Sequence, residues 1–169
     1  MKERFLVRGK RNFNREWVKG FLITSFTGIS YVVIGFDHIM SNLAKFEIDE
    51  NTICQSTGLH DSTRWEELTC EEQKQFLSSV NVKENRKNQE SDWQGKLIFE
   101  GDILAAYLDD KNPNDVTYAR VVWDRNAWCI QEAGSFDLHL LEEDIEEDYK
   151  IVGNIFDNPE LVELLEEEV

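Results

Sequence analysis

Apolar residues along this chain come in short runs with a period of two, broken about every ten positions by polar turn formers, and that rhythm predicts strands rather than helices. In the first third, Arg4 to Arg8 (RFLVR) alternates, GKRNFNRE interrupts, and WVKGFLI resumes, which reads as a hairpin with a loose loop. SYVVIG adds a third strand. FEIDENTICQ contains two apolar stretches separated by Asp49, Glu50 and Asn51, the pattern of a bend between short strands. The segment ends at Thr57-Gly58, where the glycine supplies a positive φ for a turn.

The next thirty or so positions break the rhythm. Thr63 with Glu66, and Thr69 with Glu72, have capping-box spacing, in which a hydroxyl takes one orphan N–H of the first helical turn and a carboxylate reaches back for another. The second box introduces CEEQKQFLSSV. Its Cys70, Phe76, Leu77 and Val80 leave a narrow apolar stripe, so the pattern predicts one short amphipathic helix on the surface. NVKENRKNQESDWQG is polar and aperiodic and predicts a mobile loop. Trp65 and Trp93 bracket the excursion and are expected to pin its ends to the body.

Strand signals strengthen from Lys96 onward. KLIFEGDILAAYL is long enough to bend, and Gly101 suits a bulge or a sharp curl. VTYARVVWD and AWCIQEAG face each other across Asp124-Arg125-Asn126 as a hairpin, with Asn126 in the left-handed region and Trp123 and Trp128 beside the turn. FDLHLL and YKIVGNIF flank an acidic run, and DNPELVELLEEEV starts a helix with Asn158 as N-cap and Pro159 at the first helical position. Short strands joined by brief turns after residue 95, without βαβ alternation, predict a small, highly curved antiparallel barrel. The fold class is therefore mainly β: an antiparallel body, a C-terminal small barrel, one inserted surface helix and a short C-terminal helix.

Three of these stretches, QSTGLHD, LIFEGDIL and IVGNIFDNPEL, together resemble the YopX family of phage and prophage proteins, whose members are similar to Gln-x-Thr-Gly-Leu-x-Asp, Glu-Gly-Asp-Ile and Gly-Asn-Ile-x-x-Asn-Pro-Glu-Leu in that order. WVKGFL and FEIDENTICQSTG fit as well. The resemblance implies a barrel of the Src-homology-3 (SH3-like) type, a phage or prophage origin and no particular activity. In the family the Gly-Leu-x-Asp turn leads almost directly into the Glu-Gly-Asp strand, so residues 62 to 92 look like an insertion in a turn, where added length costs only a slowly growing loop entropy. Four regions are expected: an N-terminal β region at 1–61, a helical and loop insertion at 62–92, a C-terminal barrel at 93–157 and a helix at 158–169.

Charge adds an asymmetry to this picture. The chain of 169 residues carries a formal charge of −16, yet residues 1 to 20 hold seven Lys or Arg against two acids, while residues 132 to 169 hold fourteen acids against Lys150 alone. The two ends attract each other, within the chain or between copies. Direct duplex binding is disfavoured, because phosphate recognition needs a basic footprint that only the N-terminal arm supplies. No apolar run approaches a membrane span and no signal-peptide h-region follows the basic start, which points to the cytoplasm. Cys54, Cys70 and Cys129 are widely spaced and odd in number, so they read as buried small hydrophobes rather than as disulfides or zinc ligands.

Candidate chemistry is sparse. Glu100 and Asp102 flank Gly101 as a carboxylate pair, but two apart on a strand they would repel, and a bulge with a solvated rim is the simpler reading. His60-Asp61 begins no metal site, since His38 and His139 lack ligand spacing. No catalytic, cofactor-binding or metal-binding residue is assigned, and no cofactor is expected. Trp65, Trp93, Trp123 and Trp128 read as core or as a recognition patch, and LEEDIEEDYK as a charged turn or as an acidic face for a basic partner. The leading expectation is a non-enzymatic protein-interaction module that forms a homo-oligomer or meets a basic protein of host or phage. The alternatives are a hydrolytic or nucleic-acid-processing enzyme working near Asp102, and an acidic inhibitor that mimics nucleic acid.

Overall fold

A computed structural model describes residues 3–34, 44–81, 84, 86–107, 116–142 and 145–166. In chain order the strands of the first half are β1 (Val7–Lys10), β2 (Trp17–Thr24), β3 (Ser30–Ile34), β4 (Ala44–Glu47) and β5 (Cys54–His60). The excursion follows, with α1 (Cys70–Ser78) and a two-rung hairpin of β6 (Val80–Asn81) and β7 (Arg86–Lys87). Then come β8 (Leu97–Phe99), β9 (Asp102–Tyr107), β10 (Val116–Asp124), β11 (Ala127–Glu132), β12 (Leu138–Leu140), the single turn α2 (Ile145–Asp148), β13 (Tyr149–Asn154) and α3 (Pro159–Glu166). The chain is mainly β, with antiparallel pairing throughout. Among the described residues no helix is long and apolar enough to cross a membrane.

Two sheets carry the architecture, in the orders β4-β3-β2-β1-β5-β8 and β12-β11-β10-β9-β13. The long strand expected from Lys96 onward is two strands. Glu100 and Gly101 form a sharp turn, φ +75° at Gly101, that sends the chain from the first sheet into the second. β8, expected in the C-terminal barrel, pairs instead with β5. The second sheet is a meander whose last strand returns beside its first, and among the described residues no pairing of β12 with β13 closes it into a barrel.

Burial explains why the sheets stay together. Ile98, on β8 of the first sheet, is fully buried in a cluster with Leu104, Ala119, Val121 and Ile130 of the second sheet and Ile145 of α2, with Leu59 of β5 against it. A smaller cluster of Val7, Val18, Val32 and Ile48 fills the first sheet. Each fully buried aliphatic side chain contributes about 1.5–3 kcal/mol over its exposed state, so the shared core outweighs any single polar contact across the seam. Cys54 and Cys129 are buried as expected; Cys70, at the first position of α1, is exposed.

The excursion is tied shut at its neck. Asp61 N–H donates to the Lys96 carbonyl at 2.9 Å, and Lys96 N–H returns a bond to Asp61 Oδ1 at 2.7 Å. Beyond the neck, Trp65, Trp93 and Phe76 meet edge to face at 5.1–6.2 Å between centroids, and Trp93 Nε1 donates to the Thr63 carbonyl at 2.8 Å. The Thr69–Glu72 box forms, with Thr69 N–H to Glu72 Oε2 at 2.8 Å and Glu72 N–H to Thr69 Oγ1 at 3.3 Å. The Thr63–Glu66 box does not: Thr63 Oγ1 is claimed by Asp61, and Glu67 caps Arg64 N–H instead. The expected polar loop holds local order. Arg86 grips Asp92 with two bonds of 2.6 and 2.9 Å; Val82, Lys83 and Asn85 lie outside the described residues.

The neck leaves no room at Gly95. Its φ is +101°, and a Cβ there would stand 2.0 Å from the Asp61 carbonyl oxygen. Gly95→Ala must therefore open the neck as well as bear left-handed strain, and its denaturant midpoint is expected to fall by the equivalent of about 2–3 kcal/mol; an unchanged midpoint would show that the neck closes in some other way.

Candidate functional site

Both motif aspartates are inside the protein. Asp61 is almost fully buried and accepts four bonds: Thr63 N–H at 3.1 Å and Lys96 N–H at 2.7 Å on Oδ1, Thr63 Oγ1 at 2.7 Å and Ile151 N–H at 2.9 Å on Oδ2. A carboxylate with this many donors is structural, since each lone pair that a ligand would need is already used. His60 is half-buried, with its Nε2 3.9 Å from a Glu3 carboxylate oxygen. Among the described residues no group of three or more His, Cys, Asp and Glu side chains could hold a metal; His38 lies outside the described residues.

Asp102 corrects the solvated-rim expectation. It is fully buried, accepts Arg8 Nη2 at 2.5 Å and Phe99 N–H at 2.8 Å, and shares no open site with Glu100. Arg8 in turn lies over the rings of Trp17 and Phe99, at 4.7 and 5.0 Å from their centroids. Burial pushes the Asp102 carboxyl up to about 6, against the opposing pull of Arg8 and the Phe99 N–H, with Asp61 adding to the rise. The group stays ionised at neutral pH. It is a latch between β1 and β9 rather than an acid–base catalyst open to substrate.

One ion pair links the basic start to the acidic end of the chain. Lys10 on β1 pairs with Asp157 in the turn after β13, Trp17 Nε1 donates to the same carboxylate at 2.6 Å, and Trp17 meets Phe156 edge to face. Asn154 and Asn158 shape that turn: Asn154 Oδ1 accepts Phe156 and Asp157 N–H, and Asn158 Oδ1 accepts Asn154 N–H. Burial raises the Asp157 carboxyl, but Lys10, Trp17 and Asn154 outweigh it and bring it down to about 2. Arg11 pairs with Glu16, and Arg15 with Asp49 at 2.6 Å. Much of the basic arm is thus consumed within the fold.

What remains available is aromatic. Trp123 and Trp128, opposite each other across the β10–β11 hairpin, meet at 4.7 Å and 65°. Trp123 is 50% exposed and Leu140 60%. They line a groove of about 830 Å³ between the β10–β12 end of the second sheet and β5, with Thr57 and Leu141 in its wall and Glu142 on its rim. The Thr57 hydroxyl donates to the Ile98 carbonyl at 3.0 Å, while Gln55, Ser56 and Asn126 add polar groups to the lining. A second, more open hollow of about 800 Å³ lies beside Trp65 and Trp93 at the base of the excursion. Trp65 and Trp93 act there as fasteners, whereas Trp123 stands free. Leu140 and the edge position of β12 escaped the sequence reading, because alternation in a three-residue strand does not reveal which of its sides stays unpaired.

A family model described as YopX protein matches residues 40–163, most of the chain. No curated protein matches.

The two carboxylates set opposite pH trends. Asp102, raised above its unfolded value near 3.8, contributes stability that is fully present below that value and lost as pH rises through about 6; Asp157, depressed, contributes stability present above 3.8 and lost as pH falls through about 2. Carbon-detected NMR titration is expected to place the Asp102 midpoint near 6 and the Asp157 midpoint near 2. In Asp102→Asn the pH dependence of stability between pH 4 and 6, worth on the order of 3 kcal/mol, should disappear. An Asp102 midpoint below 4 would contradict the burial argument.

Proposed function

The chain belongs to the YopX family, phage and prophage proteins of unknown function, and from that premise we propose that it is a phage or prophage accessory protein working in the host cytoplasm as a non-enzymatic protein-interaction module. The observation that carries the reading is Trp123, half exposed at the mouth of the groove and packed edge to face on Trp128. A large aromatic ring kept at a surface by a neighbour loses little entropy on binding and forms the type of anchor on which protein interfaces concentrate their energy. The partner is another protein, a second copy of the chain included.

The enzyme alternative draws no support from Asp102, whose oxygens are engaged by Arg8 and the Phe99 N–H. The nucleic-acid mimic needs a continuous solvated acidic face: Asp157 is spent on Lys10 and Trp17, and Glu143 and Asp144 of the LEEDIEEDYK run lie outside the described residues.

The expected outcome is that Trp123→Ala keeps its melting temperature within a few degrees, as a half-exposed side chain should, while proteins retained from phage-bearing cells by the wild type are lost. Identical retention by both would contradict the reading. An activity abolished by Asp102→Asn in a folded variant would replace it with the enzyme.

A further inference from the structure

The strand β2 runs past the strand that covers it. It pairs with β1 from Trp17 to Gly20 and with β3 from Phe21 to Thr24, so among the described residues 21–24 have a strand on one side only. Leu6 still lies in line with β1, its carbonyl accepting Ser56 N–H at 2.9 Å, and falls beside Phe21, so the open stretch begins at Leu22. Ser25 N–H donates to the Ile29 carbonyl at 2.9 Å, inward along the β2–β3 ladder. Main-chain groups alternate in direction along an antiparallel pair, so those of Ile23 face β3 and those of Leu22 and Thr24 face the open side. Leu22, Ile23 and Thr24 are exposed, and Phe26 at the hairpin tip is wholly so.

Native sheets blunt such edges with charge, cover or short length, and three sheet edges here follow that rule. β4 presents Lys45 and Glu47, and the Glu47 carbonyl already accepts Asn12 N–H at 3.2 Å. β12 lies between the exposed acids Asp137 and Glu142. In β13 the Tyr149 carbonyl accepts Ser62 N–H and Ile151 N–H donates to Asp61. The β2 overhang has none of these protections: between Lys19 and Asp37 the sequence holds no charged residue, in a chain of net charge −16. That absence decides the occupant. Two copies meeting over most other surfaces bring carboxylates together, whereas at this hairpin they meet without opposed charges.

We propose that two copies of this chain join edge to edge through the β2 overhang, antiparallel about a two-fold axis at Thr24, into a sheet continuous from one β3 to the other. Thr24 of each copy then exchanges two main-chain hydrogen bonds with its counterpart, and the same register sets each Phe26 beside Leu22 of the other copy, covering apolar side chains that both leave in water. The contact is separate from the Trp123 groove and goes beyond the reading built on it.

Sedimentation of the full chain at rising concentration tests it. A contact of this size falls below about 1,200 Å², the class of weak and transient interfaces, so a concentration-dependent dimer is expected rather than a permanent one. Because the copies repel and the contact holds no ion pair, the dimer is expected to tighten as salt rises from about 0.05 to 0.5 M. A contact between the basic start of one copy and the acidic end of another does the reverse. Phe26→Ser and Thr24→Pro are each expected to weaken the dimer at least about tenfold with the melting temperature within a few degrees, since both positions are exposed and the Thr24 N–H points outward. Hydrogen-exchange protection of the Thr24 amide is expected to rise with concentration. A chain that stays monomeric up to about 1 mM in both salts, a dimer indifferent to Phe26→Ser, or one that loosens as salt rises overturns the proposal. Binding to phosphatidylcholine vesicles, or to another protein, that Phe26→Ser abolishes in a monomeric chain also overturns it and gives the hairpin to that occupant. Trp123→Ala is expected to leave the dimer intact, which keeps a failure of this contact distinct from a failure of the Trp123 reading; a dimer lost in Trp123→Ala overturns the β2 contact alone.

Discussion

One buried carboxylate fixes the register in which the two halves of this protein, held together by a shared apolar core, meet. Asp61 directly follows β5, and its two oxygens collect main-chain N–H groups from residues 35 and 90 positions further on, Lys96 and Ile151. The first contact shuts the neck of the excursion, and the second fastens β13, the edge of the second sheet, to the end of β5. Because the donors are backbone groups that would otherwise be stranded away from water, losing either bond leaves a buried N–H without a partner and costs more than losing a solvated one. The excursion is tolerated for the same reason. Its length enters only as loop entropy, while the geometry at its base is fixed by Asp61 whatever lies beyond.

The second motif aspartate works one level up. Asp102 opens β9 just after the turn that carries the chain between sheets, and its ion pair with Arg8 joins that strand to β1 at the centre of the first sheet. The Lys10–Asp157 pair and the Trp17–Phe156 contact add a further fastening on the same side. One ion pair, Lys10–Asp157, joins the basic start to the acidic end within the chain. A burial-raised Asp102 and a donor-lowered Asp157 within one seam show that the environment, not the residue type, sets the role of each acid.

Local features were legible in the sequence. The Thr69–Glu72 cap, the Asn158-Pro159 start of α3 and the left-handed Asn126, φ +66°, depend on neighbours a few residues apart, and each forms as its spacing predicts. Long-range competition was not legible. Thr63 and Glu66 have the right spacing for a cap, but Asp61 takes the hydroxyl first. Leu97–Phe99 alternates like any strand, and nothing local says that it joins β5 rather than the strands that follow it. Glu100 and Asp102 look alike by position, yet the turn at Gly101 buries only the second. The groove was half visible: the sequence offered four tryptophans as a patch, and the fold divides them into two fasteners and one pair, of which Trp123 alone is more than a third exposed.

A fold fastened by two interior carboxylates keeps half-exposed Trp123 and the exposed edge strands β4 and β12 on its surface, and that arrangement stands or falls with the clamp. Amide hydrogen exchange on Asp61→Asn tests it most directly, because the amide side chain can accept on one atom but not on both. The account predicts that protection at Lys96 and Ile151 falls together with protection at Val32 and Leu104 in the two cores, with a global loss of about 3 kcal/mol or more. Loss of protection confined to residues 63–93, with Lys96 and Ile151 unchanged, would contradict it.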